Sequence, residues 1–577
     1  MKYLITSALP YVNGTKHLGN LVGSLLPSDV YARFLRAMGE EVLYICATDE
    51  HGSPTEIAAK QEGITPEELC ERQYKIQLEM NKNYNLSFDY FGRSSSPNNT
   101  YLVQYIADKL EKNGFIEEKT IKQFYSVDDG MFLADRFIIG TCPHCGNTSA
   151  RGDQCEICTK VLDPEELINP RSAISGSTNL ELRETKHLFL AQSKLVNELE
   201  QWINRQYEWP KLVKSIALKW LKEGLQDRCI TRDLSWGVPV NKKGYENKVF
   251  YVWFDAPIAY ISATKDWADK EHRDYMEWWG ANNDVRYTQF MGKDNIPFHT
   301  ISFPATIIGA GNEFKQPDYI KGVSWLNYYG GKFSTSAHRG VFMNQAIDLY
   351  PSDYWRYALM TIIPEKDDSN FTWEDFAKAI NNDLADSYGN LVQRVCVMLK
   401  KNFNSIVPAE GTFGAIENKL ISDLEAEVKE YTENMKELEF RKATQTLHNI
   451  FMLANAYIAE KEPWKKAKEG NMEDTSLTLR TSLNMIRMAA ILSAPFIPDT
   501  SEKVYKAFGI KEDERQWPSD VKAALNFFKA GHEITAPEIL FAKIMPERIE
   551  ELKQQFGDDS NAVKTKGKEL HLAAAGQ

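Results

Sequence analysis

The chain has no uninterrupted apolar run of about 18 residues, the length a helix needs to span a bilayer, so no transmembrane helix is expected. Its N-terminus, MKYLITSALPY, carries one Lys before a strand-like run. It lacks the basic start, long apolar centre and small-residue cleavage site of an export signal. The expected location is cytoplasmic. Cysteine is scarce: eight in 577 residues do not make a disulfide framework. Cys46, Cys70, Cys229 and Cys396 stand alone and read as buried free thiols. The other four are clustered. Positive charge is in deficit too. A net charge of −12 argues against a generic nucleic-acid binder, although a locally positive contact surface can sit on an acidic protein. No internal repeat is present.

What is present describes a multidomain globular protein. A chain of 577 residues is too long for one ordinary core, and 43% apolar with 26% charged residues is a globular balance. Residues 3–7 read as a strand, 19–38 as an amphipathic helix, and 40–48 as a buried strand with a nearly continuous apolar run. That is a βαβ opening to a parallel sheet. Helical patterns follow over 65–84 and 100–113, then a strand-rich stretch over 115–132. Helices are expected at 184–204 and 209–225, and sheet near 248–254 and 286–291. After about residue 371 the pattern turns to long helices, clearest over 381–401, 414–438, 440–461 and 475–493. Pro463, Pro495 and Pro498 punctuate them. The tail over 558–577 is small, polar and weakly patterned, and reads as mobile.

Three constellations carry chemistry. ALPYVNGTKHLGN, residues 8–20, follows the first strand. A strand, a Gly-containing turn and a helix are how open α/β sheets build nucleotide sites. Far along the chain, GGKFSTS at 330–336 places Lys332 in a small-residue loop able to close on the same phosphates. Between them, CPHC and CEIC place Cys142, Cys145, Cys155 and Cys158 in two CxxC pairs. Two pairs in a short insert point to four thiolates on a structural zinc rather than to a redox dithiol.

The ordered set of motifs resembles the methionyl-tRNA synthetase family of class I aminoacyl-tRNA synthetases. The first and last motifs are similar to the HIGH and KMSKS signatures. CATDEHG at 46–52, FYVWFDAPIAY at 250–260 and GKDNIPFH at 292–299 complete the likeness, which covers roughly residues 1–545. The resemblance implies a doubly wound, Rossmann-type α/β catalytic domain split by a zinc-binding insertion, then an α-helical bundle that reads the anticodon. On it, residues 1–115 form the first catalytic half and 116–228 the insertion, with its knuckle at 142–158. Residues 229–325 form the second half, 326–370 a linking region with the KFSTS loop, 371–545 the anticodon domain, and 546–577 a C-terminal helix and tail. The implied activity is ATP-dependent formation of methionyl-adenylate and transfer of methionine to tRNA(Met), initiator tRNA included. Zn²⁺ is structural, one per chain, and Mg²⁺ enters with ATP. With no room for an appended dimerising barrel, a monomer is expected.

The resemblance also implies roles. Gly14, His17, Gly19, Asn20, Lys293, Asp294, Lys332, Ser334 and Thr335 fall on the ATP side, with His17, Asn20, Lys332 and Thr335 catalytic. Leu9, Tyr11, Asp49, Trp253, Ala256, Tyr260 and His299 fall on the methionine pocket. By residue type alone Asp49 reads as a solvated cap and the aromatic run as core. The resemblance makes Asp49 the amino-group ligand. It lets Tyr11 and His299 bond near the sulfur. Asn390, Arg394 and Trp464 match the residues that read the CAU anticodon; Arg394 lies one helical turn beyond Asn390. Two positions depart from the signatures. Asn20 replaces a His and Thr335 replaces the second Lys, which removes a cation from the phosphate site. Lys332, His338 and Arg339 are the nearby candidates to compensate. Two other readings stay open. One is a class I synthetase for a branched aliphatic amino acid or cysteine, against which DAPIAY and ATDEHG argue. The other is a non-catalytic synthetase-like tRNA-binding protein.

Overall fold

The computed structural model describes residues 1–12, 14–152, 155, 158, 162–333 and 339–557. Ser334, Thr335, His338 and the tail over 558–577 lie outside the described residues. The chain forms two compact units. The first comprises Met1–Gly14, Leu43–Glu79 and Phe88–Gly322; the second comprises Thr15–Val42, Met80–Ser87 and the chain from Val323 onward.

The first unit is built on a five-stranded sheet. Its strands are β1 (Lys2–Ser7), β2 (Glu41–Thr48), β3 (Tyr90–Arg93), β4 (Val285–Gly292) and β5 (Tyr319–Val323). Their spatial order is β5-β4-β1-β2-β3. β1 runs parallel to β4, from Lys2↔Val285 to Ser7↔Phe290, and β2 parallel to β3, from Ile45↔Tyr90 to Thr48↔Arg93. The chain therefore winds outward from β1 in one direction and returns to its other side. That reversal opens a crevice beyond the carboxyl ends of the central strands, the usual ligand position in such sheets. Both faces are covered, so the strand interiors are buried: Leu4, Ile5, Ile45, Ala47 and Tyr287 have no solvent exposure. Helices Pro97–Lys112 and Ala259–Glu271 pack against this core through Leu102, Ile106 and Ile261.

The insertion is built around one long antiparallel strand pair. Ile116–Ser126 pairs antiparallel with Leu180–Leu190 over its full length, from Ile116↔Leu190 to Ser126↔Leu180. The helix expected over 184–204 is thus a strand to Leu190, with helix only over Val196–Asn204. The segment LELRETKHLFL is rich in helix formers, and long-range pairing overrides that propensity. Near 248–254 only Val249–Phe250 is strand; the chain then turns into helix Val252–Asp255.

The second unit is mainly helical. Helices Asn390–Phe403, Ala415–Lys436, Phe440–Lys461 and Met472–Ser493 bury Leu399, Leu424, Tyr431, Leu447, Phe451, Leu483 and Ile486 among themselves. One buried ion pair ties helix Leu26–Ala37 to helix Ser352–Thr361. Arg356 Nη2 donates to Asp29 Oδ2 at 2.7 Å, both side chains without exposure. Nη2 also donates to the Pro495 carbonyl, Nε to that of Phe496 and Nη1 to that of Tyr84. Among the described residues no helix is long and apolar enough to cross a membrane.

Candidate functional site

Each central strand of the first unit delivers candidate residues at its carboxyl end. β1 ends at Ser7, and Ala8 N–H donates to Phe290 O of β4 at 2.9 Å. The chain then runs beside the end of β2. Asp49 N–H donates to Pro10 O at 2.9 Å, and Val12 N–H to Asp49 O at 3.1 Å. These bonds seat Tyr11 opposite Asp49 as a parallel bridge. Burial, and then the Asp49 charge, push the Tyr11 hydroxyl well above its usual range, so it stays a neutral donor. Its ring meets Trp253 edge-on at 6.1 Å, and Trp253 stacks on Phe298 at 3.9 Å. Leu9 packs on the core beside them, and Ala256 is buried. These groups form an aromatic wall with one carboxylate at its edge, suited to a flexible apolar side chain bearing an ammonium.

His299 has a defined tautomer. Its Nδ1 lies 2.9 Å from the Asn295 carbonyl, which can only accept, so Nδ1 carries the proton. Nε2 therefore accepts from the Tyr260 hydroxyl at 2.9 Å. Burial lowers the His299 pKa to about 4. With both ring nitrogens engaged, His299 orients Tyr260 and has no donor left to reach a ligand sulfur. Lys293 and Asp294 form the 3₁₀ turn that follows β4, Lys293 half-buried and Asp294 exposed.

The first motif crosses between units, with Gly14 in the first and Thr15–Asn20 in the second. Gly14 is exposed at φ +77°, a conformation glycine adopts without strain. His17 caps the short helix Leu18–Asn20. Its Nδ1 accepts from Gly19 N–H at 3.0 Å, and Asn20 Oδ1 accepts from His17 N–H at 3.0 Å. Burial, aided by the Lys16 charge, lowers the His17 pKa to about 4. The ring is thus neutral near pH 7 with its proton on Nε2. The exposed Asn20 spends its amide oxygen on the backbone and keeps N–H donors. In the same unit the exposed Lys332 lies over the Trp325 ring at 5.6 Å. Arg339 donates to the carbonyls of Tyr328 at 2.9 Å and Tyr329 at 3.2 Å, so it braces the loop's base. Ser334 and Thr335 lie outside the described residues.

The four clustered cysteines converge. All four Sγ atoms lie within 4.8 Å of one another, with Cys142–Cys158 at 3.7 Å and Cys145–Cys155 at 3.5 Å. Tetrahedral zinc with bonds of about 2.3 Å needs sulfurs about 3.8 Å apart. The cluster fits that ion, and none of the four is in a disulfide. In the helical unit Asn390 opens helix Asn390–Phe403 and is exposed. Arg394 reaches over the Trp464 ring at 5.4 Å. Trp464, 38% exposed, sits in helix Pro463–Lys468 with Lys465 and Lys466.

Residues 3–396 match the family described as tRNA synthetases class I (M), and residues 407–561 the anticodon binding domain of methionyl tRNA ligase. The methionine–tRNA ligase of Streptomyces avermitilis is 54% identical over 96% of this chain and 99% of its own length. This chain belongs to the methionyl-tRNA synthetase family. Methionine–tRNA ligase 1 of Acaryochloris marina is 54% identical over 97% of this chain and all of its own length. In fold the chain resembles the Mycobacterium tuberculosis methionyl-tRNA synthetase solved with methionyl-adenylate. The TM-score is 0.76 at 24% identity, over 94% of this chain and 100% of that one.

Within this family's catalytic unit, one buried pair escaped the sequence reading. His51 Nδ1 meets Asp255 Oδ2 at 2.5 Å, both nearly without exposure. The pair joins the segment carrying Asp49 to the one carrying Trp253 and Ala256. Both residues lie inside quoted motifs, but 204 positions separate them. A second signal was also missed. Among the described residues, three π-helical segments adjoin candidate residues: Leu21–Leu25 after Asn20, Phe298–Ser302 around His299, and Ala379–Gly389 before Asn390. Such widened turns gather at functional sites.

Proposed function

We propose that this chain activates L-methionine with ATP to methionyl-adenylate and then transfers the methionyl group to the terminal ribose of tRNA(Met), initiator tRNA included. The observation that carries the reading is the group at the carboxyl ends of β1, β2 and β4. Main-chain bonds set Tyr11 against Asp49, and Trp253 closes on Tyr11 edge-on. In this proposal Asp49 takes the methionine ammonium, while Leu9, Tyr11, Trp253, Ala256 and Tyr260 enclose its side chain and His299 holds Tyr260. The methionine carboxylate attacks the α-phosphorus of ATP and pyrophosphate leaves. Adenylation needs positioned donors more than a protein nucleophile. His17 Nε2–H, the Asn20 amide and Lys332 supply them, with Gly14, Gly19, Lys293, Asp294, Ser334 and Thr335 on the same nucleotide side. Mg²⁺ enters as the ATP complex. Cys142, Cys145, Cys155 and Cys158 would hold one structural zinc, whose closed four-thiolate shell contributes folding energy to the insertion. Asn390, Arg394 and Trp464 read the anticodon by hydrogen bonding and stacking.

The six-segment domain division stands as part of this proposal, as do a cytoplasmic location and a monomeric state. Methionine-dependent ATP–pyrophosphate exchange, followed by charging of tRNA(Met), tests the activity. Absent exchange with intact tRNA binding would instead make the chain a non-catalytic tRNA-binding relative.

A further inference from the structure

Phe333, next to Lys332 in the second motif, has no part in the reading above. Its ring lies face to face with the His17 imidazole, centroids 4.7 Å apart and planes 2° from parallel. Phe342 meets the imidazole edge-on at 6.3 Å, and Tyr328 tilts against Phe333 at 5.7 Å. Two glycines make the room. A Cβ on Gly19 would sit 2.7 Å from His17 Cε1, and one on Gly340 would overlap the Phe333 ring. The stack therefore needs a missing side chain beside each ring, and the chain supplies both. Backbone contacts bind the same segments: Met343 N–H donates to Lys16 O at 2.9 Å, and His17 pairs with Phe342 as an antiparallel bridge.

We propose that Phe333 is a positioning residue for adenylation. By stacking on His17 it fixes the imidazole plane, so that Nε2–H is presented to an ATP phosphate as a directed, neutral donor. The inference rests on the functional reading above. Two restraints then hold the ring. The Gly19 N–H on Nδ1 fixes the tautomer, and Phe333 fixes the face. The burial that keeps His17 neutral is supplied in part by the Phe333 ring, so removing that ring admits water and favours the cation.

The test compares the full-length wild type with Phe333→Ala, Phe333→Leu and Phe333→Tyr. The ring nitrogens of labelled histidines are followed by NMR across pH, with His17→Gln assigning the signal. In the wild type His17 stays in the Nε2–H form from pH 8 to pH 5. In Phe333→Ala its titration rises by about one unit or more. Single-turnover adenylate formation falls about 2- to 12-fold, the scale of one aromatic pair, with methionine KM unchanged. Phe333→Leu keeps apolar bulk without a ring and guards against a folding defect; it too is slowed, while Phe333→Tyr restores rate and titration. An unchanged tautomer and titration in both Ala and Leu variants would overturn the proposal. So would a rate loss matched by an equal rise in methionine KM. A wild type without methionine-dependent exchange would overturn the functional reading instead, and the nitrogen spectra would still decide whether Phe333 holds His17.

Discussion

Replacing Tyr260 with Phe removes one oxygen and tests the polar chain inside the proposed methionine pocket. Tyr260 is 3% exposed and His299 5% exposed. The hydroxyl donates to His299 Nε2 at 2.9 Å, while Nδ1–H is committed to the Asn295 carbonyl at 2.9 Å. In Tyr260→Phe the Nε2 lone pair is left buried without a donor. The imidazole cannot escape by moving its proton, because Nδ1 would then turn a lone pair toward a carbonyl oxygen. A buried polar atom stripped of its partner costs about 1–3 kcal/mol. The apolar ring is retained, so no cavity adds to the cost. If Tyr260 lines the methionine site, part of that cost appears as weaker binding, with about 5- to 150-fold as the limit were all of it expressed there, at 1.4 kcal/mol per decade. The remainder appears as a lower melting temperature of the ligand-free chain. Calorimetric titration with methionine and a thermal melt of the same sample separate the two. Unchanged affinity together with an unchanged melt would show that the Tyr260–His299 bond does not have the worth assigned to it.

Lys332→Ala should slow adenylate formation by roughly 10²-fold, the scale of losing one preorganised electrostatic group. Methionine affinity should hold, and Thr335→Lys should be tolerated or mildly activating; stopped-flow measurement decides both. Trp464→Ala should weaken tRNA charging by the equivalent of about 1–3 kcal/mol of base stacking while sparing pyrophosphate exchange, and a parallel fall in both would make Trp464 a packing residue. Elemental analysis should find about one zinc per chain, and chelation or Cys142→Ala should impair charging by loosening the insertion. Asp29 is held at about 2, because Arg33 and Arg356 outweigh its burial. A depressed carboxylate stabilises the fold above its ordinary 3.8, and that contribution is lost as pH falls through about 2. Asp29→Asn should therefore cost about 2 kcal/mol or more at neutral pH, and denaturation profiles should converge with wild type as pH drops from 4 to 2.

How far the sequence could be read depended on the range of the deciding contacts. β1 and β2 were legible because each is a short, nearly continuous apolar run inside a covered sheet. The helix Phe440–Lys461 was legible at its C-terminal end, since Pro463 starts the next helix just beyond it. Leu180–Leu190 was not, because only its pairing with Ile116–Ser126, more than fifty positions upstream, makes it a strand. β5 also escaped notice: YIKGV interrupts its apolar pattern with Lys321, which the fold buries to 5% exposure. At the site, motif likeness named the residues proposed here to touch substrate. It could not find residues that act through another side chain. His51 with Asp255, and Phe333 on His17, are of that kind.

The two histidines show how the fold divides donor and acceptor duties without adding charge. Each is pushed to a pKa of about 4, chiefly by burial, so neither is a cation at neutral pH. A backbone group sets each tautomer, and the settings are opposite. Gly19 N–H occupies Nδ1 of His17 and leaves Nε2–H as a donor. The Asn295 carbonyl takes Nδ1–H of His299 and leaves Nε2 as an acceptor. A neutral donor can order a phosphate oxygen but brings no net charge to a departing pyrophosphate. That charge has to be met by Mg²⁺ and by side-chain cations. Asn20 brings none, Thr335 brings none, and Arg339 is spent on the carbonyls of Tyr328 and Tyr329. Among the described residues of the two signature motifs, Lys16 and Lys332 are the other cations, and Lys332 is the exposed one. Within its signature motifs the proposed chemistry therefore has a single exposed lysine where the commoner signature offers two, which is why the removal of Lys332 should cost rate and spare methionine binding.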